Sequence, residues 1–246
     1  MFMAETFRAR ARARASADAA VPVDRTDPAD DAHWLPGQLD AILDARKTVR
    51  SFASTPIERS VLDGSVNAAR TALARACPAG RPDHQAFQLL VAAFRVQGMA
   101  PGLYSLGPLL TEQLLTDDPD WLASAHANYA DAPVLVFICA DLNAACRRSG
   151  PTGYGAELVR AGAFGYAIWL HAISAGVGGH VYGAAWQRVT TAARLVSADL
   201  RHVFTVALGL PSQPLRCTAR RILMLMSSLS LSGGRSPSGS PLIAGC

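Results

Sequence analysis

Lysine is nearly missing from this chain of 246 residues: Lys47 is the only one, so 22 of its 23 basic residues are arginine. Arg8, Arg10, Arg12 and Arg14 crowd into the start, and without them the net charge of +4 leaves a body close to neutral. No basic face suited to nucleic acid follows from that. Cysteine is sparse and unpatterned. Cys77, Cys139, Cys146, Cys217 and Cys246 are odd in number and contain no C-x-x-C pair, which excludes a zinc site or a disulfide framework read from spacing. Cys139 sits in an apolar run and reads as a small core residue. No basic–apolar–small order marks a secretory signal, so a cytoplasmic compartment is the default expectation.

The usual catalytic signatures are missing too. No G-x-G-x-x-G follows a strand, and G-x-x-x-x-G-K-[ST], H-E-x-x-H and G-x-S-x-G do not occur. The six histidines are scattered and no carboxylates pair at metal-site spacing, so no metal is expected. Hydrolysis, zinc chemistry and phosphoryl transfer lose their footing. Cofactor chemistry remains, in which the protein mainly binds and orients.

What is present is apolar. Half the residues are hydrophobic, enough for one domain of about 200 residues. Residues 1–35, rich in Ala, Arg, Asp and Pro, read as a disordered tail. Residues 36–226 read as the domain, and the Ser/Gly-rich 227–246 as a flexible end. Leu39, Ile42, Leu43 and Ala45 recur at helical spacing. Thr55-Pro56-Ile57-Glu58 has the form of a capping box opening a helix that buries Val61, Leu62, Val66, Ala69 and Leu73 and stops near Cys77-Pro78. Phe87–Ala92 reads as a strand, and Pro101–Tyr104 as a turn into another. Leu109–Leu115 and Asp120–Tyr129 look helical, the latter with Trp121, Leu122 and Ala125 inward. Pro133–Ala140 is apolar without alternation, as in a central strand covered on both faces. Tyr154–Ala175 reads as a long buried helix ended by Gly176-Val177-Gly178-Gly179. The uncharged stretch Ala161–Gln187 is long enough to test as a membrane span, but a buried helix is the preferred reading. Val203–Leu210 is a second apolar strand, stopped by Pro211. The expected class is α+β, a central mixed sheet surrounded by helices.

Two cationic clusters stand out. Arg46, Lys47 and Arg50 flank Thr48, offering forked donors and a hydroxyl to a phosphate, or simply a solvated helix end. Arg216, Arg220 and Arg221 follow the last strand, either as a second set of donors or as a solvated surface run.

The segment Arg46-Lys47-Thr48-Val49-Arg50-Ser51-Phe52 resembles the R-R-S-x-R-x-F opening of the nitroreductase family. Pro78–Ala92 is similar to that family's P-S-x-x-N-x-Q-P-W-x-F-x-V, with Asp83 where asparagine is frequent and Gln85-Ala86-Phe87 at Q-P-W. Gly176–Gly183 resembles the A-x-x-x-G-L-G-x-x-P-I-G loop, and Ala207-Leu208-Gly209-Leu210-Pro211 the closing A-L-G-x-P. Four motifs in order across residues 46–221 imply the nitroreductase-like fold, an intertwined homodimer and bound FMN, and they favour the phosphate reading of the Arg46 cluster. The resemblance carries cofactor contacts to Arg46, Lys47, Thr48, Arg50, Asp83, Gln85, Tyr182, Gly183, Ala184, Arg220 and Arg221.

Arg95–Tyr104 is similar to the V-x-G-L-x-P-G-L-Y-x-Y segment of the SagB-type branch, whose members oxidise azoline rings to azoles in ribosomally made peptides. That implies azoline dehydrogenation, a peptide or small-molecule substrate and a cyclodehydratase partner. The branch's Lys-Tyr pair is not present, since the sole lysine is Lys47, and Arg160 stands where an acidic residue often precedes the helix glycine. By position, Tyr182 and His180 are the candidate catalytic bases. The alternatives are an NAD(P)H-dependent nitro or quinone reductase, a cyclic dipeptide oxidase, or a non-catalytic flavin-fold scaffold.

Overall fold

The computed structural model describes residues 36–76, 87–107, 111–114, 120–129 and 131–213. The expected tails at 1–35 and 227–246, the Pro78–Ala86 part of the second motif, and the cluster Arg216, Arg220, Arg221 lie outside the described residues.

Six strands form one sheet: β1 Gln88–Ala93, β2 Gly102–Leu106, β3 Thr111–Leu114, β4 Val134–Ala140, β5 Gly178–Tyr182 and β6 Arg201–Gly209, in the order β3-β2-β1-β4-β6-β5. The expected mixed sheet is antiparallel in all five ladders. Parallel pairing enters through isolated bridges, Thr48 with Gly179 and Ile57 with Val96. All seven residues of β4 are buried, which is why its sequence shows no alternation.

Six helices are described: α1 Pro36–Ala45, α2 Arg59–Ala76, α3 Trp121–Asn128, α4 Leu142–Ser149, α5 Pro151–Ser174 and α6 Gln187–Ala193. α2 packs on α5, and α5 packs on the sheet. Gly165 brings α5 close, because a Cβ there would meet the Phe204 ring at 2.5 Å. The other face of the sheet carries an aromatic-rich core built around Trp121, Tyr129 and Phe137, against which Tyr182 and Trp186 pack. α5 ends in a Schellman motif: Gly176 has φ +78, its N–H reaches the Ile173 carbonyl at 2.9 Å, and the Val177 N–H reaches Ala172 at 2.9 Å. No helix among the described residues is long and apolar enough to cross a membrane.

Two expectations are corrected. The capping box at 55–58 does not open the helix, which starts at Arg59. Ile57 is instead held extended, its N–H donating to the Arg95 carbonyl at 3.1 Å and its carbonyl accepting from Gln97 at 2.9 Å, with its side chain 2% exposed. Leu109–Leu115 is not helical where it is described. Thr111–Leu114 is the edge strand β3, paired with β2 from Leu106–Thr111 to Leu103–Leu114. A four-residue pairing to an existing edge outweighs a weak local helical pattern. β5, α4 and α6 were not anticipated by the sequence reading.

Candidate functional site

The site is built where the chain from 46 to 53 lies along the sheet edge at β5. The Val49 N–H donates to the Gly179 carbonyl at 3.0 Å, and the Ala53 N–H to Leu210 at 2.8 Å. The Ser212 N–H returns to the Ser51 carbonyl at 3.0 Å, and Phe52 bridges Pro211. Gly178 makes this approach feasible, and Gly179 the close pairing of β5 with β6 beside it. A Cβ on Gly178 would stand 2.8 Å from Val49 Cγ2, and one on Gly179 would fall inside 3.0 Å of the Ala207 carbonyl oxygen. With Val49 and Phe52 turned into the core, Arg46, Lys47, Thr48 and Arg50 are left exposed on one short segment. Arg46 is further held by two rings of α5, its guanidinium 5.8 Å from the Tyr166 centroid and 5.5 Å from that of Trp169.

β5 delivers the two expected catalytic residues to the same place. His180 is 2% exposed, and its Nδ1 donates to the Val49 carbonyl at 2.7 Å. That bond fixes the tautomer, leaving the lone pair on Nε2, which is buried without a partner among the described residues. The ring stacks on Phe52, centroids 6.1 Å apart, and meets Tyr182 edge-on at 4.2 Å. Burial pushes the imidazole below its usual pKa; the Val49 bond opposes this and the Arg50 charge adds to it. Tyr182 is half-buried, and burial pushes its hydroxyl up, with Arg50 opposing. Arg50 therefore acts on both side chains.

After Tyr182 the chain leaves the sheet as Gly183-Ala184-Ala185, all exposed. Their N–H groups have no backbone acceptor among the described residues. Of the expected cofactor residues, Arg46, Lys47, Thr48 and Arg50 share the strap, Tyr182 at the end of β5 feels the Arg50 charge, and Gly183 and Ala184 follow Tyr182 in the chain. Asp83, Gln85, Arg220 and Arg221 lie outside the described residues. Sequence reasoning missed Tyr129, whose ring lies 4.8 Å from that of Tyr182, and Trp186, which packs beside it. Neither carries a motif, because each is placed by pairing between distant segments. Among the described residues no group of His, Cys, Asp and Glu is placed to hold a metal.

A six-stranded antiparallel sheet packed against helices, with a cationic strap along its β5 edge, defines the fold class to which the chain belongs. The chain belongs to the nitroreductase family, whose model matches residues 43–211. Among solved structures it is similar to a candidate nitroreductase from Anabaena variabilis, with 17% identity and a TM-score of 0.59 over 73% of this chain and 40% of that one. It therefore spans well under half the length of that protein. A candidate nitroreductase from Ralstonia eutropha gives 20% identity and a TM-score of 0.54, over 75% of this chain and 87% of that one. A more distant FMN-dependent nitroreductase from Clostridium difficile gives 13% identity and a TM-score of 0.45, over 71% and 88%. No curated protein matches the chain in sequence.

Proposed function

We propose that the protein is an FMN-dependent oxidoreductase that works as a homodimer and runs in the reductive direction, from NAD(P)H to a nitroaromatic or quinone acceptor. The observation that carries the FMN assignment is the strap: three exposed cations and a hydroxyl within five residues, laid against a glycine edge beside a loop of open amides. Two buried polar atoms flank this strap without partners among the described residues, His180 Nε2 and Trp169 Nε1. An unmade bond on a buried polar atom costs roughly 1–3 kcal/mol, and both rings touch the strap, His180 through the Val49 carbonyl and Trp169 under the Arg46 guanidinium, which supports a polar group bound nearby. The residues fit a flavin mononucleotide. Arg46, Lys47 and Arg50 would hold its phosphoryl end with Thr48, and Gly183 and Ala184 would present amides to its ring. In this reading Asp83, Gln85, Arg220 and Arg221 complete the cofactor contacts. When bound, FMN supplies a ring that accepts and returns a hydride.

The reductive direction is favoured by what His180 and Tyr182 are suited to do. Azoline oxidation needs a base for the Cα proton. Tyr182 is held neutral by burial, and the free nitrogen of His180 is sealed from solvent with its basicity lowered. Both serve better as walls of the site than as proton acceptors. The segment that suggested the azole branch also has a structural use: Pro101–Tyr104 turns into β2, and the Tyr104 hydroxyl closes that turn on the Ala100 carbonyl at 2.7 Å.

Adding FMN to the purified full chain and removing the excess is expected to leave a yellow protein that oxidises NAD(P)H rapidly with a quinone. A colourless product would reject the flavin assignment. A yellow protein that ignores quinones but oxidises an azoline peptide would replace the reductase reading by the dehydrogenase one, with a cyclodehydratase partner then in prospect. Arg46→Gln and Arg50→Gln should each weaken FMN about tenfold, the value of one charge-assisted hydrogen bond. Arg59→Gln, whose side chain is half-exposed against Asp63 on α2, should leave the titration unchanged.

The homodimer draws support from the outward face of α5. Val159 is 72% exposed and Tyr154 49%, and the neighbouring Gly155, Ala156 and Ala163 are exposed and uncharged. A contiguous apolar stripe of this kind suits a protein interface. Val159→Asp would bury a charge there. Sedimentation equilibrium should show a dimer for the parent chain and a shift toward monomer for the variant; a parent chain that sediments as a monomer would remove the dimer from the proposal.

A further inference from the structure

The open loop 183–185 needs something to hold it, since its own N–H groups make no backbone bonds among the described residues. Its far end is tied at one point. The backbone N–H of Trp186 donates to Nδ1 of His202 at 2.8 Å. A backbone N–H can only donate, so Nδ1 carries the lone pair and the ring proton is on Nε2. That proton is shared between the Thr205 hydroxyl at 2.8 Å and the Phe204 carbonyl at 3.1 Å. Thr205 in turn hydrogen-bonds the Tyr129 hydroxyl, and the Tyr129 ring stands 4.8 Å from that of Tyr182. The His202 N–H donates to the Thr190 hydroxyl at 3.1 Å, tying in α6.

This arrangement requires an irregular strand. Residues 202 and 205 differ in parity and would point to opposite faces of a regular strand. The β4–β6 ladder shifts register between Ile138 and Cys139, pairing Ile138 with Phe204 and Cys139 with His202. One residue of β6, Val203, is left over, and the parity flips. His202 therefore turns to the same face as Thr205, edge-on to Phe137 at 5.4 Å. The bulge re-aims one imidazole so that it meets the loop end on one side and a hydroxyl relay on the other.

We propose that His202 is a positioning residue for the flavin-facing loop: one ring nitrogen fixes Trp186 and so the path of Gly183–Ala185, while the other, through Thr205 and Tyr129, fixes the ring against which Tyr182 packs. The flavin part of this inference rests on the function proposed above; the hold on the loop does not. It is burial that keeps the imidazole neutral, pushing its pKa down to about 4. In the neutral form Nδ1 can accept, whereas a protonated ring would set two donors against each other.

Two near-isosteric variants separate this role from mere core filling. His202→Asn keeps an acceptor close to the position of Nδ1; His202→Gln keeps an amide close to that of Nε2 and loses the acceptor. On the full-length protein, amide exchange at Trp186 and FMN titration are measured for both. His202→Asn is expected to keep the Trp186 amide as protected as in the parent, and to weaken FMN less than His202→Gln does, through the lost Nε2 contact to Thr205 alone. His202→Gln should expose the Trp186 amide and weaken FMN by about tenfold each, as expected for one lost buried hydrogen bond. Equal exchange at Trp186 in the two variants would overturn the inference. If neither variant folds, the parent protein decides: a scalar coupling across the Trp186 N–H···Nδ1 bond is expected by NMR, and its absence would overturn the inference. A parent chain that binds no FMN would defeat the flavin assignment and leave the exchange result to judge the loop.

Discussion

Gly179→Val is expected to destabilise the protein by about 3 kcal/mol and to loosen residues 46–50 from the sheet. The first carbon of the new side chain would already fall inside 3.0 Å of the Ala207 carbonyl oxygen and stand 3.0 Å from Leu208 Cδ2. The obstacle is backbone of the neighbouring strand, not the end of a flexible side chain, so relief requires β5 to move away from β6. Any such movement breaks the pairing of His180 with Ala207 and the bond from the Val49 N–H to Gly179. It also withdraws the His180 ring from the Val49 carbonyl. The strap carries three trypsin sites, Arg46, Lys47 and Arg50, so detachment has a direct readout. The variant should show a lower urea midpoint and faster tryptic cleavage in 46–50. Gly183→Ala is the contrast: a Cβ there meets nothing within 4 Å, and stability should stay within about 0.5 kcal/mol. A Gly179→Val protein with the parent's urea midpoint and proteolysis rate would show that the glycine edge does not hold the strap.

Some of this was legible in residues alone, and physical reasons separate what was from what was not. β4 announced itself because complete burial imposes an apolar run whatever the neighbours are, and α5 because its long apolar stretch, expected to be buried throughout, keeps one face in the core and leaves Tyr154 and Val159 outside. The strap was legible because its cations and hydroxyl sit in adjacent positions, and the family's motifs gave them an order. The failures share another cause. Ile57 looked like the first turn of a helix, but its backbone is taken up by Arg95 and Gln97, about forty residues on, which no local pattern encodes. α4 was missed although Asp141 caps it, accepting from the Ala144 N–H at 2.7 Å, because eight mostly polar residues are too short a run for their helical pattern to stand out. Gly178-Gly179 was read as the end of α5 and as part of the family's glycine loop. Its second use, letting a distant segment lie against β5, depends on partners at 49, 207 and 211 that the sequence does not associate. The His202 relay was the least legible of all, since it depends on a one-residue register shift that flips side-chain parity.

That same histidine predicts how the protein responds to acid. His202 has a folded-state pKa of about 4 against 6.5 for the unperturbed side chain, chiefly through burial. Between those values the unfolded chain binds a proton that the folded protein refuses, so stability rises with pH across this window. The contribution is fully present above pH 6.5 and is lost as pH falls toward 4, at about 1.4 kcal/mol per pH unit and about 3 kcal/mol in all. His180 and His171 are pushed down by burial as well and add in the same direction. The Asp131 carboxyl is held below its usual range, first by its hydrogen bond from Arg95, so its contribution is lost only at still lower pH. Urea midpoints measured at intervals from pH 7 to 4.5 should therefore fall steadily before the carboxylates titrate, with the slope reduced in His202→Asn. Loop order should follow the same curve: once the ring is protonated, Nδ1 no longer accepts from Trp186, and exchange at that amide should accelerate along with the loss of stability. Stability that is flat from pH 7 to 4.5 would mean that this imidazole is not buried in the neutral form, and the hydrogen-bond relay built on it would fall.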